Sequence, residues 1–298
     1  MIRHFVPGAL GCALLATPCA AQERAVATDA WASTDADHTQ VFRLGVNFDW
    51  VNEGDKRVRG FRLEQARFTP LGGHTTGFER GYVRYADSSG HLAWNAPLGT
   101  DGHTAIGTVN LVDEAGWRKE AFVERDVIET PLGVTRGIYY TFAGAALDVP
   151  LGSRDSGTAV LGAQAFTGRN VRLHARATYV HTLKREWGLT AQLRARYFRS
   201  TVPGEFDYFS PRWYAEVLPV LQLRRFDHGW RYLVAGGYGA QRDAGSAWRS
   251  SRYLNGQVTT PARGGLQLKA SVLYANTPVG SGYVYDFLQG SLGIVRRF

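Results

Sequence analysis

Cysteine is almost missing from this 298-residue chain, and its two copies, Cys12 and Cys19, both fall near the amino terminus. The remainder therefore has no disulfide or thiol chemistry. Long apolar runs are missing as well: past the opening segment nothing approaches the roughly 18 consecutive apolar residues of a membrane helix. Helical periodicity is nearly absent, so a helical bundle is excluded. The eight histidines include no pair at metal-ligand spacing beside a carboxylate, and His174 and His181 fall on opposite faces of one alternating segment. No metal or other cofactor is expected. Ser, His and Asp occur, but no nucleophile sits in a recognisable catalytic context, so no enzyme activity is expected. The stretch AGGYGAQRD is like a phosphate loop only on the surface, because no helix follows it.

What is present begins with MIRHFVPGALGCALLATPCAAQ, a single Arg3 ahead of an apolar run and small residues before Gln22. This reads as a signal peptide, residues 1–21, cleaved near Ala21. Residues 22–38 are small and polar and read as a flexible periplasmic lead-in. The remaining residues, 39–298, form the structured domain. The net charge of +8 suits an anionic partner, and export makes nucleic acid the least suitable of these.

From about Thr39 onward the chain is a succession of short alternating runs separated by Gly, Asp, Asn, Ser and Pro. Val171, Leu173, Ala175, Ala177 and Tyr179 share one face, whereas Arg172, His174, Arg176 and Thr178 share the other. Leu189 to Tyr197 repeats the pattern against Arg194 and Arg196, and Trp213 to Leu223 repeats it against Glu216 and Arg224. Leu218 and Val220 interrupt that last polar face. Segments of about 10 residues with one apolar and one polar face match tilted strands crossing a bilayer. Tryptophan and tyrosine gather near segment ends (Trp50, Trp94, Trp187, Trp230, Tyr253, Tyr274), as in interfacial girdles. Connections alternate between tight (LKRE, FDHG, PARG) and long (RSTVPGEFDYFSP, RDAGSAWRS, NTPVGSG).

The fold class expected is all-β: a transmembrane antiparallel β-barrel of the bacterial outer membrane with about 14–16 strands, 16 favoured because such barrels have even counts. About fifteen strands can be placed, starting near residues 40, 57, 77, 91, 103, 117, 137, 157, 169, 187, 211, 229, 249, 264 and 282. The stretch ERDVIETPLGVTRG reads as a loop, a short helix or an inward fold.

Leu292 and Ile294 alternate back from a terminal Phe298, which resembles the sorting signal of outer-membrane barrels; Arg296 departs from it where an apolar residue is usual. FTGRNVRLHARATYV, WGLTAQLRARYF and DYFSPRWYAEVLPVLQLRRF resemble the porin domain of bacterial exopolysaccharide export proteins, the exporters of cellulose and poly-N-acetylglucosamine. The likeness is best from Phe122 to Phe298, and its most telling element is Tyr208-Phe209-Ser210-Pro211 leading into a strand. It implies a barrel of about 16 strands that passes a growing glycan. The tetratricopeptide array that precedes such barrels is not in this chain, so export would need a separate periplasmic scaffold protein. Outer-membrane lipid and the barrel-assembly machinery are the other partners implied.

The lumen face then carries Arg172, His174, Arg176, Arg194, Arg196, Glu216 and Arg224. Fixed positive charge in a confined pore concentrates anions and opposes cations. The functional expectation is passage of a polysaccharide or other anionic solute. Two readings stay open beside it: a non-conducting structural or assembly barrel, and a barrel enzyme acting on lipid or glycan. In the first, the arginines pair with Glu216, Asp49, Glu64 and other lumen carboxylates.

Overall fold

In the computed structural model the described residues are 23–54, 56–276 and 286–298. The leader and most of the NTPVGSG connection lie outside them. Sixteen antiparallel strands close into one barrel, each hydrogen-bonded to its sequence neighbours and the first to the last. They are β1 (Ala25–Asp35), β2 (Gln40–Asn52), β3 (Arg57–Thr69), β4 (Thr76–Ser89), β5 (Leu92–Thr100), β6 (Ala105–Asp113), β7 (Lys119–Val127) and β8 (Tyr139–Pro150), then β9 (Asp155–Phe166), β10 (Val171–Lys184), β11 (Leu189–Ser200), β12 (Trp213–Asp227), β13 (Trp230–Asp243), β14 (Arg249–Thr259), β15 (Leu266–Ala275) and β16 (Phe287–Arg297). AGGYGAQRD lies within β13.

The fifteen expected strands correspond to β2–β16, with starts displaced by a few residues. The sixteenth corrects the sequence reading: residues 22–38 are no flexible lead-in, because Ala25–Asp35 is β1, the strand that closes the barrel. Its outward positions, Val26, Thr28, Ala30 and Ala32, are small, while Asp29 and Trp31 face inward. The alternation is therefore too faint in hydrophobicity to register as a strand. Pairing with β16 from Ala25↔Arg297 to Asp35↔Phe287 holds it in place.

Outside, the apolar faces look into the surroundings. Leu44, Val46, Leu161, Leu173, Leu193, Leu221, Leu254 and Leu292 are all exposed. A water-soluble barrel would bury these and show its charged face instead. No helix among the described residues is long and apolar enough to cross a membrane; the strands are the spanning elements. Ile294 and Phe298 also point outward. The departure at Arg296 is accommodated locally, since its guanidinium turns back to the carbonyl of Gly264 in the β14–β15 turn. Tyr253 differs from the girdle expected for it: it faces inward and packs against Leu218, Val220 and Ala235.

Tight turns gather at the end where β1 begins and β16 finishes. At His228-Gly229 both turn residues have positive φ, 46° and 82°, which matches the twist of a two-residue hairpin. The opposite end carries the longer connections, 128–138 and 201–212, and both fold inward. The first four residues of ERDVIETPLGVTRG finish β7, which the sequence reading did not offer, and the rest combines two of its three readings, an inward fold containing the short helix α1 (Pro131–Arg136). Thr130 caps the helix by accepting from the Gly133 N–H, Pro131 opens it, and Gly137 ends it at φ 67°.

The lipid face gives a depth-dependent prediction. Leu193→Arg, halfway along β11, is expected to destabilise the barrel by ~2–4 kcal/mol, whereas Leu266→Arg at the tight-turn rim costs ~0–1 kcal/mol. Urea titration in phospholipid vesicles, read by tryptophan emission, checks both.

Candidate functional site

Two walls of the lumen treat their charges differently. On β1–β4, arginines meet carboxylates. Arg62 binds Asp29 at 2.5 Å and Glu64 at 2.7 Å, Arg80 lies between Glu64 (3.4 Å) and Asp126 (3.3 Å), and Arg84 pairs with Asp49. Gly45 makes room for this: a Cβ there would sit 2.1 Å from the Arg62 guanidinium. The Arg80 side chain is 1 % exposed, so its charge is offset within the wall rather than by solvent.

On β10–β12 the balance is lost. Register places Arg176 directly opposite Arg196, and Arg196 directly opposite Glu216. One carboxylate thus faces a row of two arginines, with Arg172 nearby. Arg196 reaches Glu216 at 3.3 Å, and Glu216 also accepts from the Ser251 hydroxyl at 2.5 Å. Neither Arg172 nor Arg176 forms an ion pair with a carboxylate among the described residues. Arg194 donates to Gln192 Oε1 at 2.8 Å and lies over the Tyr253 ring. Arg224 is exposed near the tight-turn end of β12, away from this group. Asp49 and Glu64, offered as partners by the structural reading of the sequence, are taken up by Arg84, Arg62 and Arg80 on the other wall.

Aromatic rings frame these arginines. Arg172 lies 4.5 Å from the Phe198 ring centroid and 5.0 Å from that of Phe166; Arg196 lies 4.9 Å from that of Tyr214. His174 is wedged between Phe142 and Phe198, at 4.9 and 5.5 Å. Gly162, opposite His174, permits this packing, because a Cβ there would stand 2.6 Å from the Phe142 ring. Arg172, His174, Arg176 and Arg196 together line a cavity of about 330 Å³, with Phe209 over it and Gln164, Tyr140 and Glu124 beside it.

Tyr208-Phe209-Ser210-Pro211 supplies the roof. Tyr208 stacks on Phe166 at 4.3 Å and its hydroxyl accepts from Asn170 Nδ2 at 3.0 Å. Burial pushes this phenol up from its ordinary pKa. Phe209 offers its carbonyl to Arg172 Nη2, and Ser210 accepts from the Gly204 N–H. Ser210 is buried and Pro211 leads out to β12. The same loop holds α1: Asp207 accepts from Thr130 Oγ1 and from the Leu132 N–H, both at 2.7 Å. From there the helix reaches across the mouth, where Val134 packs on inward-facing Val41 and Phe68, and Arg43 on the far wall binds Glu129. Sequence reasoning missed Phe142, Phe166, Asp207 and the far-wall contact of α1. The ring positions follow the same alternation and were legible in principle; the contacts across the mouth were not.

A second lumen cavity of about 530 Å³ lies toward the tight-turn end, lined by Asn47, Asn52, Asn95, Asn110 and Asp49 among others.

No family model and no curated protein matches this chain. Solved structures do. A bacterial polysaccharide outer membrane secretin is similar over 92 % of this chain and 98 % of its own, at TM-score 0.65 and 14 % identity. Pseudomonas aeruginosa OccK5 (OpdH) is similar over 93 % and 98 %, at TM-score 0.45 and 8 % identity. Salmonella typhi OmpF in complex with daunomycin is similar over 92 % and 97 %, at TM-score 0.43 and 9 % identity. The likeness to the secretin shows the fold, a closed outer-membrane β-barrel, and at 14 % identity it extends no further.

The two walls predict opposite responses to losing an arginine. Arg80→Gln strands two carboxylates and is expected to cost ~3–5 kcal/mol. Arg176→Gln removes one member of a like-charge pair and is expected to leave stability unchanged or raise it. Denaturant midpoints of the refolded variants decide between this and a uniform lumen network.

Proposed function

We propose that the chain is an outer-membrane channel that passes an exported polysaccharide or another anionic solute by passive conduction. The observation that carries this reading is the β10–β12 wall, where Arg172 and Arg176 line a lumen cavity and form no ion pair with a carboxylate among the described residues. Fixed positive charge held in a low-dielectric wall raises the local anion concentration. A guanidinium also presents paired donors to carboxylates. The described barrel resembles one borne by a polysaccharide secretin, which supports the polysaccharide class for the cargo. Passage then depends on a separate periplasmic protein to deliver the glycan, and insertion on lipid and the barrel-assembly machinery. Leu292, Ile294 and Phe298 present an apolar outer edge for that machinery.

A second reading has its own observation. Helix α1 and the loop 201–212 both narrow the long-loop mouth, as a closed or structural barrel would require. Conduction separates the two. Refolded protein in a planar bilayer under a salt gradient is expected to carry stable anion-selective current, and Arg172→Glu, Arg176→Glu, Arg194→Glu or Arg196→Glu to lower the anion preference. A sealed bilayer over folded protein overturns the channel reading.

Asp207→Ala removes both hydrogen bonds that 201–212 gives to the start of α1 and leaves the packing of Leu132 beside Tyr208. Mean conductance is expected to rise in this variant, with faster amide hydrogen exchange at Leu132 and Gly133; unchanged conductance would show that α1 does not limit the mouth.

A further inference from the structure

The cavity beneath Phe209 has features that a uniform electrostatic lining does not require. Its three arginines are crowded together although like charges directly opposite across strands are unfavourable; Glu124 is the one carboxylate in the lining, and Glu216 pairs with Arg196 from outside it. The Nε atoms of Arg172 and Arg196 and the Nδ1 of His174 are buried and lack a hydrogen-bond partner among the described residues. Buried polar atoms are ordinarily satisfied, and exceptions point to a ligand or a functional role. The surrounding groups are held firmly: Tyr208 on Phe166, Asn170 on Tyr208 and on the Val202 N–H at 3.1 Å, and Glu205 on the Asn170 N–H at 2.9 Å. At about 330 Å³ the cavity lies at the small end of ligand pockets, roughly 300–1,000 Å³.

We propose that this pocket is a binding subsite for one carboxylated sugar unit, with Arg172, Arg176 and Arg196 taking the carboxylate and the aromatic walls taking the ring. A bare anion would use the guanidiniums alone, whereas Phe142, Phe198 and Phe209, besides holding His174 and Arg172, turn ring surface into the cavity. A pyranose has C–H faces that pack on such rings, and hydroxyls that can bond Gln164, Tyr140 and Glu124 along the same wall. A neutral sugar would leave the excess positive charge uncompensated. The combination therefore selects an acidic saccharide. The inference rests on the channel reading only for the route by which the ligand arrives.

The test is isothermal titration of the folded full-length barrel in detergent with trigalacturonate, maltotriose and inorganic phosphate. Trigalacturonate is expected to bind best. Arg172→Gln and Arg176→Gln are each expected to weaken it by about tenfold, the worth of one charged hydrogen bond. Phe209→Ala should weaken trigalacturonate and leave phosphate as it was. Equal binding of maltotriose overturns the carboxylate assignment, and equal binding of phosphate overturns the sugar assignment. Absent binding, or affinity indifferent to all three substitutions, overturns the subsite. The wild-type comparison stands even where a variant fails to fold. Bilayer conductance separates the two readings: anion-selective current without trigalacturonate binding defeats the subsite alone, and binding without current defeats the channel alone.

Discussion

Everything in this barrel depends on the need to pair each backbone N–H and C=O where water cannot reach them. An open sheet edge in hydrocarbon would leave a row of such groups unsatisfied, each costing several kcal/mol. Closure removes the edge, and here it is made by the least conspicuous strand. The small-residue strand β1 joins β16 along its whole length, and Arg24 and Phe298 exchange backbone hydrogen bonds at 2.9 Å in each direction where the seam ends. Once the ring is closed, side-chain alternation has only two destinations. Apolar residues go to the lipid, and the polar set is forced into a narrow interior where charges must be managed at close range.

Two solutions to that crowding coexist. The wall formed by β1–β4 interleaves Arg62, Arg80 and Arg84 with Asp29, Glu64 and Asp49, and Asp126 reaches Arg80 from β7, so that almost every charge is answered by a neighbour. Such a network braces the barrel and presents little net field. On β10–β12 strand register prevents the same outcome, because Arg176 and Arg196 lie at one level with only Glu216 beyond them. Aromatic faces under the guanidiniums offset part of the repulsion through cation–π contact, without cancelling the charge. The two walls therefore differ in how fully their arginines are paired among the described residues.

The strands, their facing and the basic character of β10 and β11 were legible because period-two alternation with bulky apolar residues is a local signal. β1 escaped because its outward residues are Val26, Thr28, Ala30 and Ala32, which carry little hydrophobic contrast. Leu218 and Val220 looked like flaws in a polar face; they form an inward apolar cluster with Ala235 and Tyr253, and that is also why Tyr253 is absent from the girdle. Arg172, His174, Arg176 and Arg196 could be assigned to one face from sequence, and they do share a cavity. Which arginines find carboxylates could not be read, since it depends on register between strands and on loops that reach across the mouth. Arg84 meeting Asp49 and Asp207 meeting Thr130 join residues far apart in the chain, and no local pattern encodes them.

The loop 201–212 ties the outer mouth to the basic wall. Asp207 holds the start of α1, Tyr208 fixes the loop to Phe166 and Asn170, and Phe209 covers the arginines and gives its carbonyl to Arg172. Three consecutive residues thus control three different contacts, and none can move far while the Tyr208 ring stays stacked. The helix touches the opposite wall through Val134, so its position is fixed from both sides of the lumen. A loop that was only a surface connection would leave its backbone groups to water and its aromatics exposed. This one buries Tyr208 and Ser210 and spends its polar groups on the barrel interior, which makes the geometry of the mouth and the geometry of the basic pocket a single structural unit.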